Sequence, residues 1–218
     1  MIFDFFRIFY TLFFVWLTCL TGIFIFHKTL PLSFRGFVLL IILLSVLETI
    51  GNAIGFFGKI KNHFFFNIIY AIEFTLVPYF FKHCLHSLWL KKIIRVFVFI
   101  FPLFVLVNTV WIQGFFTLQT YSFVIGGSFI LLLSVSYLGE LYTNEESQNI
   151  LRNPVFWFSL AYLIYFAVSV PYFGMLNYLV ANYLSFATLY YELIYEGTIC
   201  LYNILLTIGF LCMKPATR

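Results

Sequence analysis

The sequence predicts an all-α fold, a polytopic transmembrane helical bundle of seven spans forming a single domain over residues 1–218. Three observations predict it. Of the 218 residues, 63% are hydrophobic and only 9% are charged, whereas a soluble domain carries about 25% charged residues. Mean hydropathy is +1.04, so polar surface is too scarce to cover the chain in water. The apolar runs are continuous rather than alternating every second residue, which argues against a β-barrel.

A spanning helix needs about 20 apolar residues, at 1.5 Å rise each, to cross roughly 30 Å of hydrocarbon. Cutting the chain at its charges and Gly, Asn and Pro clusters leaves seven such runs, 8–26, 36–57, 63–81, 95–112, 117–139, 155–174 and 188–212. The first follows Arg7 but is too long for a signal-peptide core and lacks a small-x-small cleavage site, so it reads as a mature helix. The second starts after Arg35, and the third stops just before Lys82 and contains Pro78. The fourth follows Lys91, Lys92 and Arg95 and contains Pro102. The fifth carries Gly126-Gly127-Ser128, which reads as a place of close helix approach. The sixth opens on Pro154, favoured in a first helical turn, and contains Pro171. Internal prolines free a carbonyl and kink a helix.

Loop charges give the orientation. Lys28, Arg35, Lys82, Lys91, Lys92, Arg95, Arg152, Lys214 and Arg218 share one side, and Arg7, Lys59 and Lys61 the other. Nine against three predicts an outside N-terminus and a cytoplasmic C-terminus, in a bacterial inner membrane. The net charge of +4 then reflects this asymmetry. The expected partner is the lipid bilayer, and no nucleic acid is expected. Cys19, Cys84, Cys200 and Cys212 have no extracellular disulfide pattern and read as small packing residues.

A carboxylate inside a span costs a few kcal/mol and needs an explanation. Glu48, Glu73, Glu192 and Glu196 lie within spans. In this topology Glu48, Glu73 and Glu196 sit roughly 14, 15 and 12 Å below the outer ends of their helices, one shared layer in the outer half. Helical spacing extends them into polar stripes with Asn52, Asn67, Tyr70, Glu192 and Asn203. No Lys or Arg lies deep in any span. The acids are therefore protonated, face water, or meet a cationic ligand. These eight residues are the candidate ligand-binding set, beside the alternative that they hold helices together through hydrogen bonds.

Catalysis is poorly supported. The only aspartate is Asp4, which excludes a paired-aspartate intramembrane protease. There is no His-Glu-x-x-His, and His27, His63, His83 and His86 all lie near span ends, so neither a zinc site nor a serine–histidine hydrolase is built within the spans. The seventh span has no lysine for a retinal Schiff base. No cofactor or metal is expected.

Four stretches carry a resemblance. They are Leu47-Glu48-Thr49-Ile50-Gly51, Asn67-Ile68-Ile69-Tyr70-Ala71-Ile72-Glu73-Phe74, Asn153-Pro154-Val155-Phe156-Trp157-Phe158 and Ile208-Gly209-Phe210-Leu211-Cys212. Over essentially its full length the chain resembles a group of uncharacterised seven-helix integral membrane proteins common in Bacteroidota, similar to the membrane regions that precede some sensor histidine kinases. The resemblance implies that Glu48, Glu73 and the Asn-Pro-x-Phe-Trp start of span 6 belong to a shared pattern. The chain departs from the kinase-linked members in that no output domain follows before Arg218, so any output is expected to be a separate cytoplasmic signalling or effector protein. The expected function is a non-enzymatic, sensor- or receptor-like module with an outer-half acidic pocket. A small proton-, cation- or amine-linked transporter or channel is the alternative, and a membrane accessory or effector of a defence locus a third.

Overall fold

The computed structural model describes residues 2–26, 30–58, 62–143 and 149–213, with side chains from Phe9 onward. The described residues are helical and contain no strand. The helices are α1 (Ile2–Phe26), α2 (Leu32–Gly58), α3 (His63–Cys84), α4 (Leu88–Val107), α5 (Thr120–Thr143), α6 (Pro154–Asn182), α7 (Leu184–Tyr190) and α8 (Glu196–Leu211). A π-helical turn, Asn108–Ile112, extends α4, and another, Tyr191–Tyr195, joins α7 to α8. Among the described residues, seven segments are thereby long and apolar enough to cross a membrane.

Two boundaries differ most from the sequence reading. The fourth segment starts at Leu88, ahead of its basic cluster, because Ser87 caps the helix there by accepting from the Leu90 N–H. Lys91, Lys92 and Arg95 therefore ride on the first helical turns, where their long stems reach past the apolar surface. The sixth segment runs to Asn182, eight residues beyond the predicted end, because no charge or cap interrupts it. Its start is built from local chemistry. Asn153 accepts from the Val155 N–H at 2.9 Å and donates to the Tyr137 hydroxyl at 3.0 Å, while Pro154 occupies the first turn.

Neighbouring helices close a ring in the order α1, α2, α3, α5, α6, α8 and back to α1. Helix α4 packs mainly on the outside of α3. Its outward face, with Phe99, Ile100, Leu103 and Leu106, is exposed, a face suited to lipid rather than water. At one end of the bundle, Glu140 of α5 accepts from the backbone N–H groups of His86 and Ser87 at 2.7 and 3.0 Å. That carboxylate clamps the α3–α4 turn and places a negative charge at the α4 N-terminus, where the helix dipole favours it. Arg35, Lys82, Lys91, Lys92, Arg95 and Arg152 also lie at this end, flanking the α1–α2, α3–α4 and α5–α6 connections. The other charges of the orientation count, namely Arg7, Lys28, Lys59, Lys61, Lys214 and Arg218, fall outside the described side chains.

The ring is filled at this end by an aromatic layer. Phe37 of α2 stacks on Phe80 of α3 at 4.1 Å between centroids, and meets Phe158 of α6 at 4.8 Å. Phe158 in turn meets Phe210 of α8 at 5.4 Å. A second cluster lies nearer mid-bundle, where Phe74 contacts Phe101, Phe123 and Phe166. Glycines let the helices come this close. A Cβ on Gly209 would overlap the Phe158 ring, and one on Gly126 would overlap Phe74. The Gly126-Gly127 pair does act as a close-approach surface, for α3 and α6 together.

Candidate functional site

Inside the ring, on the side away from the aromatic layer, lies a cavity of about 390 Å³. Its rim at the α2–α3 connection is made by Asn52, Asn62 and His63. Asn62 is held there by donating to the Gly51 carbonyl at 3.0 Å. Its deepest wall is formed by Ile41, Glu73 and Leu206. Ile41 and Leu206 stand one helical turn from Phe37 and Phe210, so the cavity ends on the aromatic layer.

Six of the eight candidate residues line this one space: Glu48 and Asn52 from α2, Tyr70 and Glu73 from α3, Glu196 and Asn203 from α8. The spacings explain it, since i+4, i−3 and i+7 all return to the same helix face. Glu73 and Glu196 are buried, and Glu48 is half-buried. Glu196 accepts from the Tyr10 hydroxyl of α1 at 3.0 Å. Glu48 and Glu73 line the same cavity from neighbouring helices. All three face the bundle interior, not its outer surface.

Asn67 and Glu192 do not line the cavity, and each departure has a geometric cause. Asn67 precedes Glu73 by six residues, which at 3.6 per turn puts it about 120° around the helix. There it faces the α4–α5 connection, donating to the Thr117 carbonyl at 2.8 Å and accepting from the Gln119 N–H at 3.0 Å. It belongs to a buried amide and hydroxyl network in which Asn108 donates to Ser122 at 2.8 Å and to Gln113 at 3.0 Å. Glu192 lies in the π-helical turn that ends just before Glu196. The wider turn breaks the i+4 register on which their shared face depended.

The acid-centred reading missed the tyrosines. Tyr165, Tyr191, Tyr195 and Tyr202 line the cavity beside Tyr70. Tyr165 and Tyr195 share a hydrogen bond at 3.0 Å, and the Tyr202 ring lies 5.1 Å from that of Tyr165. One signal was present: Tyr195 and Tyr202 are seven residues apart, each directly before a flagged residue, Glu196 and Asn203. Among the described residues no group of three or more His, Cys, Asp or Glu is gathered closely enough to hold a metal ion.

The chain matches no protein-family model, no curated protein and no solved structure.

Proposed function

We propose that the chain is a multi-pass protein of a bacterial inner membrane, with its N-terminus outside and its C-terminus in the cytoplasm. In this reading it is a receptor-like sensing module, which admits a small ligand to an outer-half pocket and passes the change to a separate cytoplasmic protein. One observation carries the reading: the acid- and tyrosine-lined cavity reaches the α2–α3 end of the bundle and is closed at the other end by Phe37, Phe80, Phe158 and Phe210. A blind pocket of this kind suits binding, and the basic residues at the closed end support its assignment as the cytoplasmic side.

The topology has a direct test. A reporter enzyme active only in the cytoplasm, fused after Arg218, should give activity, and the same enzyme fused before Met1 should give none. Activity from both fusions would remove the outside N-terminus. The pocket's side is tested separately. In a background with all four cysteines replaced, Asn52→Cys should react with a membrane-impermeant maleimide applied outside, while Phe158→Cys should react from neither side. An unlabelled Asn52→Cys would overturn the outer-pocket reading.

A carrier is the second reading, and one observation favours it. The Ser159 hydroxyl is buried without a hydrogen-bond partner, on α6 next to Phe158 of the closing layer. A carrier that alternates its access would expose Ser159→Cys to the same reagent from the cytoplasmic side; a receptor would not.

A further inference from the structure

Resting on the reading of the cavity as an outer-face binding pocket, we infer that its ligand is a small organic cation, an alkylammonium compound whose charge meets Glu48 and Glu73 and whose carbon-bound ammonium group lies against the faces of Tyr70, Tyr165 and Tyr195. The first support is what the acids lack. Glu73 is only 8% exposed and points into the cavity. Among the described residues, neither its carboxyl nor that of Glu48 has a hydrogen-bond or ion-pair partner. Glu196, by contrast, is partnered by Tyr10. Nor does any Lys or Arg occur among the described lining residues. A buried carboxylate without a partner is costly, and a bound cation supplies the missing charge.

The second support is the set of tyrosines that shares the cavity with the acids. Five tyrosines line the space, and the face of an aromatic ring attracts a cation held within about 6 Å of its centre. Such rings distinguish an organic cation from a metal ion. Hard divalent ions need six or more oxygen ligands at about 2.0–2.6 Å, and the carboxyls here are not gathered for that. The volume of about 390 Å³ lies near the lower end of small-molecule sites, about 300–1,000 Å³, so the ligand is compact. An anionic ligand would face three carboxyls.

The test uses the full chain purified into lipid nanodiscs. The probes are choline, tetramethylammonium and n-butylammonium, with 3,3-dimethylbutan-1-ol as the neutral carbon counterpart of choline, and potassium and calcium chlorides as inorganic controls. At least one ammonium probe should raise the melting temperature saturably and change the intrinsic tyrosine and tryptophan fluorescence. The alcohol and the inorganic salts should do neither at matched ionic strength. Glu73→Gln should weaken binding about tenfold or more. Tyr70→Leu should weaken it about fivefold, while Tyr70→Phe, which keeps the ring face, should change it less than about twofold. Should Glu73→Gln not fold, Glu48→Gln at the less buried partner carries the same expectation.

The inference is overturned if no ammonium probe binds, if the alcohol binds equally well, if an inorganic cation binds instead, or if the folded Gln variant binds as the wild type does. Labelling of Asn52→Cys separates this from the broader reading. Outside labelling without ammonium binding removes the ligand class alone. Absence of labelling removes the outer pocket itself.

Discussion

Truncating Phe158 to alanine is expected to lower stability by about 2–3 kcal/mol. Phe158 is fully buried and touches Phe37, Phe80 and Phe210, so one ring joins α2, α3, α6 and α8. With lipid as solvent, the separated helices leave their apolar side chains among equally apolar tails, so the transfer part of the usual cost is small. What remains is the void. A residual cavity of roughly 100 Å³ at about 24 cal/mol per Å³ costs about 2.4 kcal/mol. Phe158→Leu, which returns most of the volume, should lose less than about 1.5 kcal/mol. Unfolding in mixed detergent with added SDS, followed by circular dichroism, measures both. A Phe158→Ala loss below about 0.5 kcal/mol would mean that the aromatic layer is not a packing unit.

Gly126→Val should be the more damaging kind of change, because it adds volume where none is free. Its Cβ would overlap the Cβ and ring base of Phe74, the stiffest part of that side chain. Phe74 cannot withdraw, since it is fully buried among Phe101, Phe123 and Phe166. Overpacking of this sort costs about 1–3 kcal/mol or more and pushes α5 away from α3. Gly139 on the same helix has open space around its Cβ direction. There, Gly139→Ala should stabilise by about 0.5–1 kcal/mol through helix propensity alone. Thermal unfolding of the pair in one detergent checks the contrast. Equal effects would show that the α3–α5 contact does not depend on the glycine.

The sequence by itself determined the seven segments, because crossing length and transfer cost are properties of each stretch alone. It also determined the alignment of Asn52 with Glu48 and of Asn203 with Glu196, since those pairs follow from helical period within one helix. The start at Pro154 was legible for the same local reason, whereas the Asn153 cap came from the structure. Three further features were decided only by tertiary structure. The π-helical turn Tyr191–Tyr195 took Glu192 off the face of Glu196, and Asn67 turned toward the α4–α5 connection to satisfy Thr117 and Gln119. The ring of six helices, with α4 left outside it, gathered tyrosines from α3, α6, the π-helical turn and α8 around Glu48 and Glu73. In a chain that is 63% hydrophobic, the apolar pattern cannot mark which helix face meets another helix, because lipid tails are as apolar as leucine. Only packing shape and the few polar groups choose the neighbours, and both act between residues far apart in the chain.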